Sequence, residues 1–371
     1  MKLEKPVSLE ESRKAIDEID AELVRLFARR MECSRTVADY KWAHHMEVLN
    51  TAREEQVLKS RAALAGDPAL TASVTELFRE IMRLSREEQY RYLDSGLHGK
   101  AVAYSGIPGA FSESAVIQSF GEDSDRVSCR SFDEVFTAVA SDQAAYGVLP
   151  VENSSSGSIN DVYDLLNRYA CHIVGEQLVA VEHCLLALPG ASLDSIRTVY
   201  SHDQGFLQCA AFFSKHPEWQ KVPYFNTAIA ARHVAELADP GCAAIASRLA
   251  AKEYGLSILC PSIQDYAGNY TRFIIVGSSP CSIGTPDKAT LTFSLRHERG
   301  TLHRALSAFV ALGLNLTHIE SRPLHDTPWE YRFYVDVTGN VGRENLSVLL
   351  SALQADCVSC RLLGAYQAAK R

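Results

Sequence analysis

Between residues 8 and about 93 the apolar positions Leu9, Ile16, Ile19, Leu23, Leu26, Phe27 and Val37 recur with a helical period, sustained well past the length of an average helix. Beyond Pro6 the stretch holds one glycine, Gly66, and one proline, Pro68. The pattern predicts three helices, at about 8–43, 51–64 and 70–92, with a break at "AGDPAL". A first helix that long has too few neighbours within the segment to cover its apolar stripe, which predicts self-association.

From Lys100 the texture changes to short β-prone runs alternating with helical ones. Strands are predicted at "VAYS", "AYGVLPV", "HIVGEQLVAV", "RTVYS", "CAAIAS" and "RFIIVGSS", with helices near 111–119, 132–140, 160–168, 204–214, 227–237 and 247–254. Alternation of this kind predicts parallel sheets in two lobes, with ligands beyond the carboxyl ends of strands. After the Gly-, Pro- and Ser-rich "GSSPCSIGTPDK" (277–288) the predicted order is strand 289–295, helix 301–312, strands 314–321 and 330–337, helix 343–354 and strand 357–363. That βαββαβ order describes a ferredoxin-like sandwich. The expected domains are therefore an all-α segment 1–94, a two-lobed α/β segment of the periplasmic-binding-protein kind at 99–277, and a ferredoxin-like segment at 288–366, with "DSGLHGK" as the first linker.

Composition narrows the function. With 47% hydrophobic and 22% charged residues among 371, and no apolar run of bilayer length, the chain reads as globular and without a membrane partner. A net charge of −8 argues against nucleic acid, so any anion site must use a few placed arginines. The start, "MKLEKPVSLEESRKAIDEID", has no secretion signal, and ten scattered cysteines suit reduced thiols; both predict a cytoplasmic location. "CVSC" (357–360) falls in a predicted strand with no second pair, so it reads as packing, and "HH" (44–45) ends the first helix. No GxGxxG, GxxxxGK[ST] or HExxH occurs, so neither a cofactor nor a metal is predicted.

At 100° per residue, Arg30 and Lys41 fall in the middle of the stripe of Ile16, Leu23 and Val37, where an unpaired charge is costly unless it faces a partner or an anion. Arg13 lies about 100° from Arg30, so one straight helix does not aim both at one cavity. A second copy of the chain supplies one of them. Arg53 and Glu54 open the second helix, and Ser85 and Gln89 share a face of the third. The set Arg13, Arg30, Lys41, Arg53, Glu54, Ser85 and Gln89 resembles that of the all-helical chorismate mutases, intertwined dimers. The resemblance implies that the cations hold the two carboxylates and the ether oxygen of chorismate, with Arg30, Lys41 and Gln89 acting on the rearrangement to prephenate. Asn50 stands where that family commonly has Asp; its amide oxygen still accepts from a substrate hydroxyl, which implies weaker binding rather than loss.

"VLPVENSSSGSIND" (148–161) places Glu152, Asn153 and Ser154 at a strand end. Together with "YSGIPGAFSESA" (104–115), "VYSHDQGFLQC" (199–209) and "NYTRF" (269–273) it resembles the prephenate dehydratases, with Asp203 where that family commonly has Pro. The resemblance implies Thr271 as proton donor to the departing hydroxyl, with Asn153, Ser154, Ser201, Gln208 and Arg272 orienting prephenate and Glu152 positioning the loop. Arg272 would lie on the opposite face of a regular strand. His202 has two readings, substrate contact or helix cap, and the serine cluster also reads as a cap and turn.

"ERGTLHRAL" and "ESRPLHDTPWEYRFYVDV" resemble the phenylalanine-binding ACT domain, with Gly300, Thr301 and Leu302 where Gly-Ala-Leu is usual, and with Glu320, Ser321, Arg322 and Pro323 closing the pocket. A glycine entering a helix lets backbone N–H groups approach a ligand carboxylate. The resemblances together imply a bifunctional enzyme of phenylalanine biosynthesis, a homodimer or dimer of dimers, inhibited by L-phenylalanine. Two alternatives are a dehydratase whose helical segment serves only dimerisation, and a non-catalytic sensor of an aromatic acid.

Overall fold

The structure is a computed structural model that describes residues 8–43, 48–97, 101–280, 282, 286–296, 298–324 and 330–369. His44 and His45 lie outside these residues, as do parts of both linkers. The chain divides into two compact units, residues 1–98 and 99–371.

The first unit holds helices α1 (Leu9–Ala43), α2 (Thr51–Ala63) and α3 (Pro68–Leu97). Asn50 caps α2 by accepting from the Arg53 N–H at 2.9 Å, and Asp67 accepts from the Ala69 N–H at 2.9 Å, so α3 begins at Pro68, where a missing N–H does no harm. The C-terminal half of α1 packs on α3 through Ser34 with Ser85, Arg35 with Glu88, and Asp39 with Tyr92. Towards the N-terminus of α1 the stripe is uncovered by the described residues of this unit: Ile16 and Leu23 are both 55% exposed.

The second unit begins with β1 (Val102–Ser105), α4 (Phe111–Phe120), β2 (Arg126–Cys129), α5 (Phe132–Ala140), β3 (Tyr146–Asn153), β4 (Gly157–Ser158), α6 (Asn160–Arg168) and β5 (His172–Ala180). The chain then crosses to a second lobe of β6 (Cys184–Ala187), β7 (Thr198–Ser201), α7 (Asp203–Gln208), α8 (Ala210–Phe213), β8 (Gln220–Pro223), α9 (Thr227–Leu237), β9 (Cys242–Ala246), α10 (Arg248–Tyr254) and β10 (Ser257–Cys260). It returns to the first lobe as β11 (Tyr270–Gly277). The first sheet runs β2-β1-β3-β11-β5 with β4 beside β3, and the second β10-β6-β9-β7-β8. Both are mixed rather than parallel. β11 is antiparallel to β3 and β5 because it enters after a crossover from the other lobe, and β6 is antiparallel to β9 and β10.

The sandwich follows as β12 (Lys288–Leu295), α11 (Thr301–Ala311), β13 (Asn315–Pro323), β14 (Tyr331–Thr338), α12 (Arg343–Leu353) and β15 (Cys357–Tyr366), with sheet order β13-β14-β12-β15. Its edge strand β15 lies against β5, the edge of the first sheet. Tyr334, Leu363 and Tyr366 join the core of the first lobe. At Gly364 an added Cβ would stand 1.9 Å from the Ile173 carbonyl oxygen, so only glycine permits this approach.

Candidate functional sites

In the helical unit a cavity of about 300 Å³ is lined by Arg30, Lys41, Asn50, Arg53, Glu54, Ser85, Arg86 and Gln89, with Val37, Val48, Val57 and Met82 as its apolar wall. Seven of the expected residues, drawn from all three helices, thus meet in one place. Arg30 donates to the Ser85 hydroxyl, Lys41 to the Val48 carbonyl, and Arg86 to Glu54. Gln89 donates to the Ser85 carbonyl at 3.2 Å, and its own buried oxygen has no partner among the described residues. Four cations and one carboxylate give the lining three net positive charges. Burial pushes the pKa of Arg30 down, with nearby Arg61 adding to the effect. Burial likewise lowers Lys41, against the pull of Glu54. Arg13 is exposed and does not line the cavity; it sits 17 residues before Arg30, about 25 Å along the helix. Arg86 was not singled out from the sequence, because one basic residue on a charged helix face carries no signal.

In the two-lobed unit, β3 and β11 pair with Thr271 opposite Asn153 and Arg272 opposite Glu152. Asn153 Nδ2 donates to Asn269 Oδ1 at 2.8 Å, Thr271 Oγ1 at 3.0 Å and the Tyr270 carbonyl at 3.2 Å. Its Oδ1 accepts from the N–H groups of Ser155 and Ser156, each at 3.0 Å, which makes the serine turn a scaffold for the amide. Ser154 ties the turn to β11: its hydroxyl accepts from the Tyr270 N–H at 2.9 Å and donates to the Gly268 carbonyl at 3.2 Å. Asn153 and Thr271 are 8% and 9% exposed, a nearly dry amide–hydroxyl pair.

In the second lobe Ser201 is fully buried at the end of β7 and donates to the Ile245 carbonyl at 3.3 Å. His202 is the cap of α7, its Nδ1 accepting from the Gln204 N–H at 3.2 Å, so the capping reading holds. Gln208, near the end of α7, pairs with His183 Nε2 at 2.8 Å. The loop after β1 meets this lobe directly: the Gly109 carbonyl accepts from Ser247 at 2.7 Å, and a Cβ on Gly109 would stand 2.8 Å from the Ala250 backbone. Neither His183 nor Asn269 was singled out from the sequence; each acts through a contact distant along the chain.

Arg272 departs from the expectation that it contacts substrate. Strand alternation turns it away from Thr271, and its guanidinium is buried against Asp336 at 2.6 Å, Glu152 at 3.2 Å and Glu176 at 3.3 Å. Lys288 joins the cluster, 2.8 Å from Glu176, and Thr290 donates to Asp336 at 2.6 Å. Burial works against ionisation of Asp336, but Arg272 and Lys288 outweigh it and hold the carboxyl below its ordinary pKa. Glu152 therefore serves this ion cluster, which joins the first lobe to the sandwich.

In the sandwich a smaller cavity of about 160 Å³ is lined by Leu295, Arg296, Glu298, Thr301, Leu302, Glu330, Tyr331 and Phe333. Gly300 caps α11 with φ +81°, a left-handed backbone suited to glycine, and Thr301 turns inward to donate to the Arg296 and Glu298 carbonyls, each at 3.0 Å. The "ESRP" residues do not line this cavity. Glu320 accepts from Ser158 at 2.6 Å and Arg322 pairs with Asp164 at 2.7 Å, both reaching the first lobe. Ser321 and Pro323 alternate to the other face, opposite Phe333 and Tyr331.

Family models match three consecutive stretches: chorismate mutase type II over residues 12–90, prephenate dehydratase over 102–281 and the ACT domain over 289–355. Fold and sites together define a multidomain enzyme carrying an ACT domain. A bifunctional chorismate mutase/prephenate dehydratase of Escherichia coli (strain K12) is 34% identical over 366 residues, covering 95% of this chain and 95% of its own. Among solved structures, a prephenate dehydratase in complex with L-Phe from Arthrobacter aurescens is 30% identical with a TM-score of 0.65, covering 72% of this chain and 89% of that one. A structure described as GqqA, a novel type of quorum quenching acylases, is 32% identical with a TM-score of 0.67, covering 72% and 98%. The chain belongs to the bifunctional chorismate mutase/prephenate dehydratases.

Proposed function

We propose that the helical cavity rearranges chorismate to prephenate and that the crevice at β3 and β11 converts prephenate to phenylpyruvate, with L-phenylalanine as feedback inhibitor bound at the ACT domain. The carrying observation is that Arg30, Lys41 and Gln89, scattered over two helices, line one cavity with an excess of positive charge. A pericyclic step needs no nucleophile. It needs a compact conformer and charge stabilisation at the breaking ether, which Lys41 and Gln89 supply while Arg30, Arg53, Ser85, Glu54 and Asn50 hold the carboxylates and hydroxyl. Arg13 acts from a second copy of the chain, docked on the apolar residues that α1 leaves exposed; the assembly is a homodimer or a dimer of dimers.

In the crevice Thr271 donates the proton. Because Asn153 Nδ2 already donates to Thr271 Oγ1, the threonine hydrogen is free to point at the substrate, and the amide steadies the oxygen as that proton leaves. The bond to the ring carboxylate breaks to release carbon dioxide, its electron pair enters the ring, and the hydroxyl departs with the proton as water. Ser154, Ser201 and Gln208 orient the two carboxylates. The functional domains are 1–94, 99–277 and 288–366, the last holding the effector in the cavity at the Gly300, Thr301, Leu302 corner, with Glu320 and Arg322 tying the neighbouring strand β13 to the first lobe. The free cysteines among the described residues support a cytoplasmic enzyme; no helix among the described residues is long and apolar enough to cross a membrane.

Purified protein given chorismate, with and without L-phenylalanine, tests the reading. Prephenate and then phenylpyruvate are expected, the second slowed by the amino acid. Unconsumed chorismate retires the mutase half, and prephenate that persists retires the dehydratase half.

A further inference from the structure

His183 lies in the crossover from β5 to β6 and is 2% exposed. Its ring meets Phe111 of the first lobe edge-on, centroids 5.8 Å apart, while Nε2 stands 2.8 Å from Gln208 Oε1 in the second lobe. The returning crossover clamps its backbone: the His183 N–H donates to Gln264 Oε1 at 3.0 Å, and its carbonyl accepts from the Ile263 N–H at 2.9 Å. Two residues earlier, the Val181 N–H donates to the Asn269 carbonyl at 2.8 Å, and Asn269 in turn accepts from Asn153. An unbroken series of contacts thus runs from Thr271 through Asn153, Asn269 and the crossover to His183 and Gln208.

The pairing fixes the protons. A carboxamide oxygen only accepts, so the ring nitrogen facing it carries the hydrogen. Nδ1 is then a bare acceptor, buried and without a partner among the described residues. The opposite arrangement, with the carboxamide turned and Nδ1 protonated, would strand a buried N–H, the worse defect. Burial also pushes the imidazole pKa below its ordinary value, which keeps the ring neutral.

We infer that His183 is a positioning residue of the dehydratase site: by engaging Oε1 it turns the Gln208 amide nitrogen, which has no partner among the described residues, toward the crevice as a donor to a substrate carboxylate. A glutamine left free to rotate would also present its oxygen, which repels that carboxylate. A neutral imidazole selects the orientation without adding a buried charge. This assignment rests on the dehydratase reading of the crevice and adds to it a residue acting through Gln208.

The decisive pair is His183→Gln and His183→Asn, both polar and neutral. Glutamine places an N–H near the position of Nε2 and reaches Gln208; asparagine places one near Nδ1 and does not. With prephenate as substrate, H183N raises KM about tenfold to a hundredfold, the loss of one buried hydrogen bond to a charged group, with kcat less affected. H183Q stays within about threefold of the wild type, a difference under 1 kcal/mol. Combined with Gln208→Leu, H183N adds little further, because coupled residues are not additive. Equal KM values for H183N and H183Q at wild-type Tm overturn the proposal, as does an additive double variant. A wild type that forms no phenylpyruvate retires the dehydratase reading itself, whereas an active wild type with an unimpaired H183N retires the histidine alone.

Discussion

The two candidate sites are built by opposite means. The helical cavity concentrates charge and leaves it half-satisfied: Arg30 and Lys41 have lowered pKa values because burial penalises them before any anion arrives. The β3–β11 cluster is neutral, with Asn153 bonded to Asn269, Thr271, Ser155 and Ser156. The neighbouring cation Arg272 is drawn to the other face of the strand by Asp336 and Glu176. The contrast follows from chemistry. A rearrangement without proton transfer gains from bare cations beside a developing negative oxygen, whereas a weak acid such as threonine must be supported by donors that do not compete for its proton.

The largest expected effect breaks the neutral site. Thr271→Val lowers phenylpyruvate formation about 10²–10⁴-fold, the range of general acid catalysis, while chorismate consumption in the same preparation is unchanged. Lys41→Met removes one electrostatic contact and lowers mutase kcat about 10²–10³-fold with dehydratase activity intact. The same lysine sharpens the comparison through pH: the reaction needs its cation, burial makes it lose its proton below the usual lysine range, and mutase kcat/KM therefore falls on the alkaline side. Lys41→Arg moves that fall to higher pH, and a profile that does not move removes Lys41 from the role.

Asp336→Ala removes the nearest of three carboxylates around buried Arg272, leaving Glu152 and Glu176, and destabilises the second unit by about 1–3 kcal/mol, read as a drop in its Tm. Because Arg272 and Lys288 hold Asp336 below its ordinary pKa, the stability it contributes is present above the unfolded carboxylate range and lost as pH falls through the lowered value. Asp336→Asn flattens that acid limb. The smallest effect is at Asn50, where Asn and Asp cap a helix almost equally. Asn50→Asp lowers the mutase KM by less than about threefold, well under 1 kcal/mol.

Much of this was legible in the chain. Helical periodicity places α1 and α2 within a residue of their bounds, and "VAYS", 132–140, 160–168 and 227–237 coincide with β1, α5, α6 and α9. The strands not foreseen, β2, β4, β6, β8 and β10, are two to four residues long, too short for a period to register. Strand direction was misjudged because it depends on where the chain re-enters a sheet. β11 arrives from the other lobe, a fact no local pattern holds. The motifs do not give every direction: strand alternation divides Thr271 from Arg272 and Ser321 from Glu320, so neighbours in a motif face different partners. Arg272 reads as a substrate contact until Asp336, 64 positions later, comes into view.

The Gly364 contact has an evolutionary corollary. With the β15 backbone pressed on that of β5, and Tyr366 seated in the first lobe's core, the regulatory fold is no removable attachment. Removal of residues 288–371 would bare the β5 strand edge and take Asp336 and Lys288 out of the ion cluster around Arg272, one residue from Thr271. Changes that alter effector binding without disturbing the first lobe are therefore expected among point substitutions that leave the seam intact.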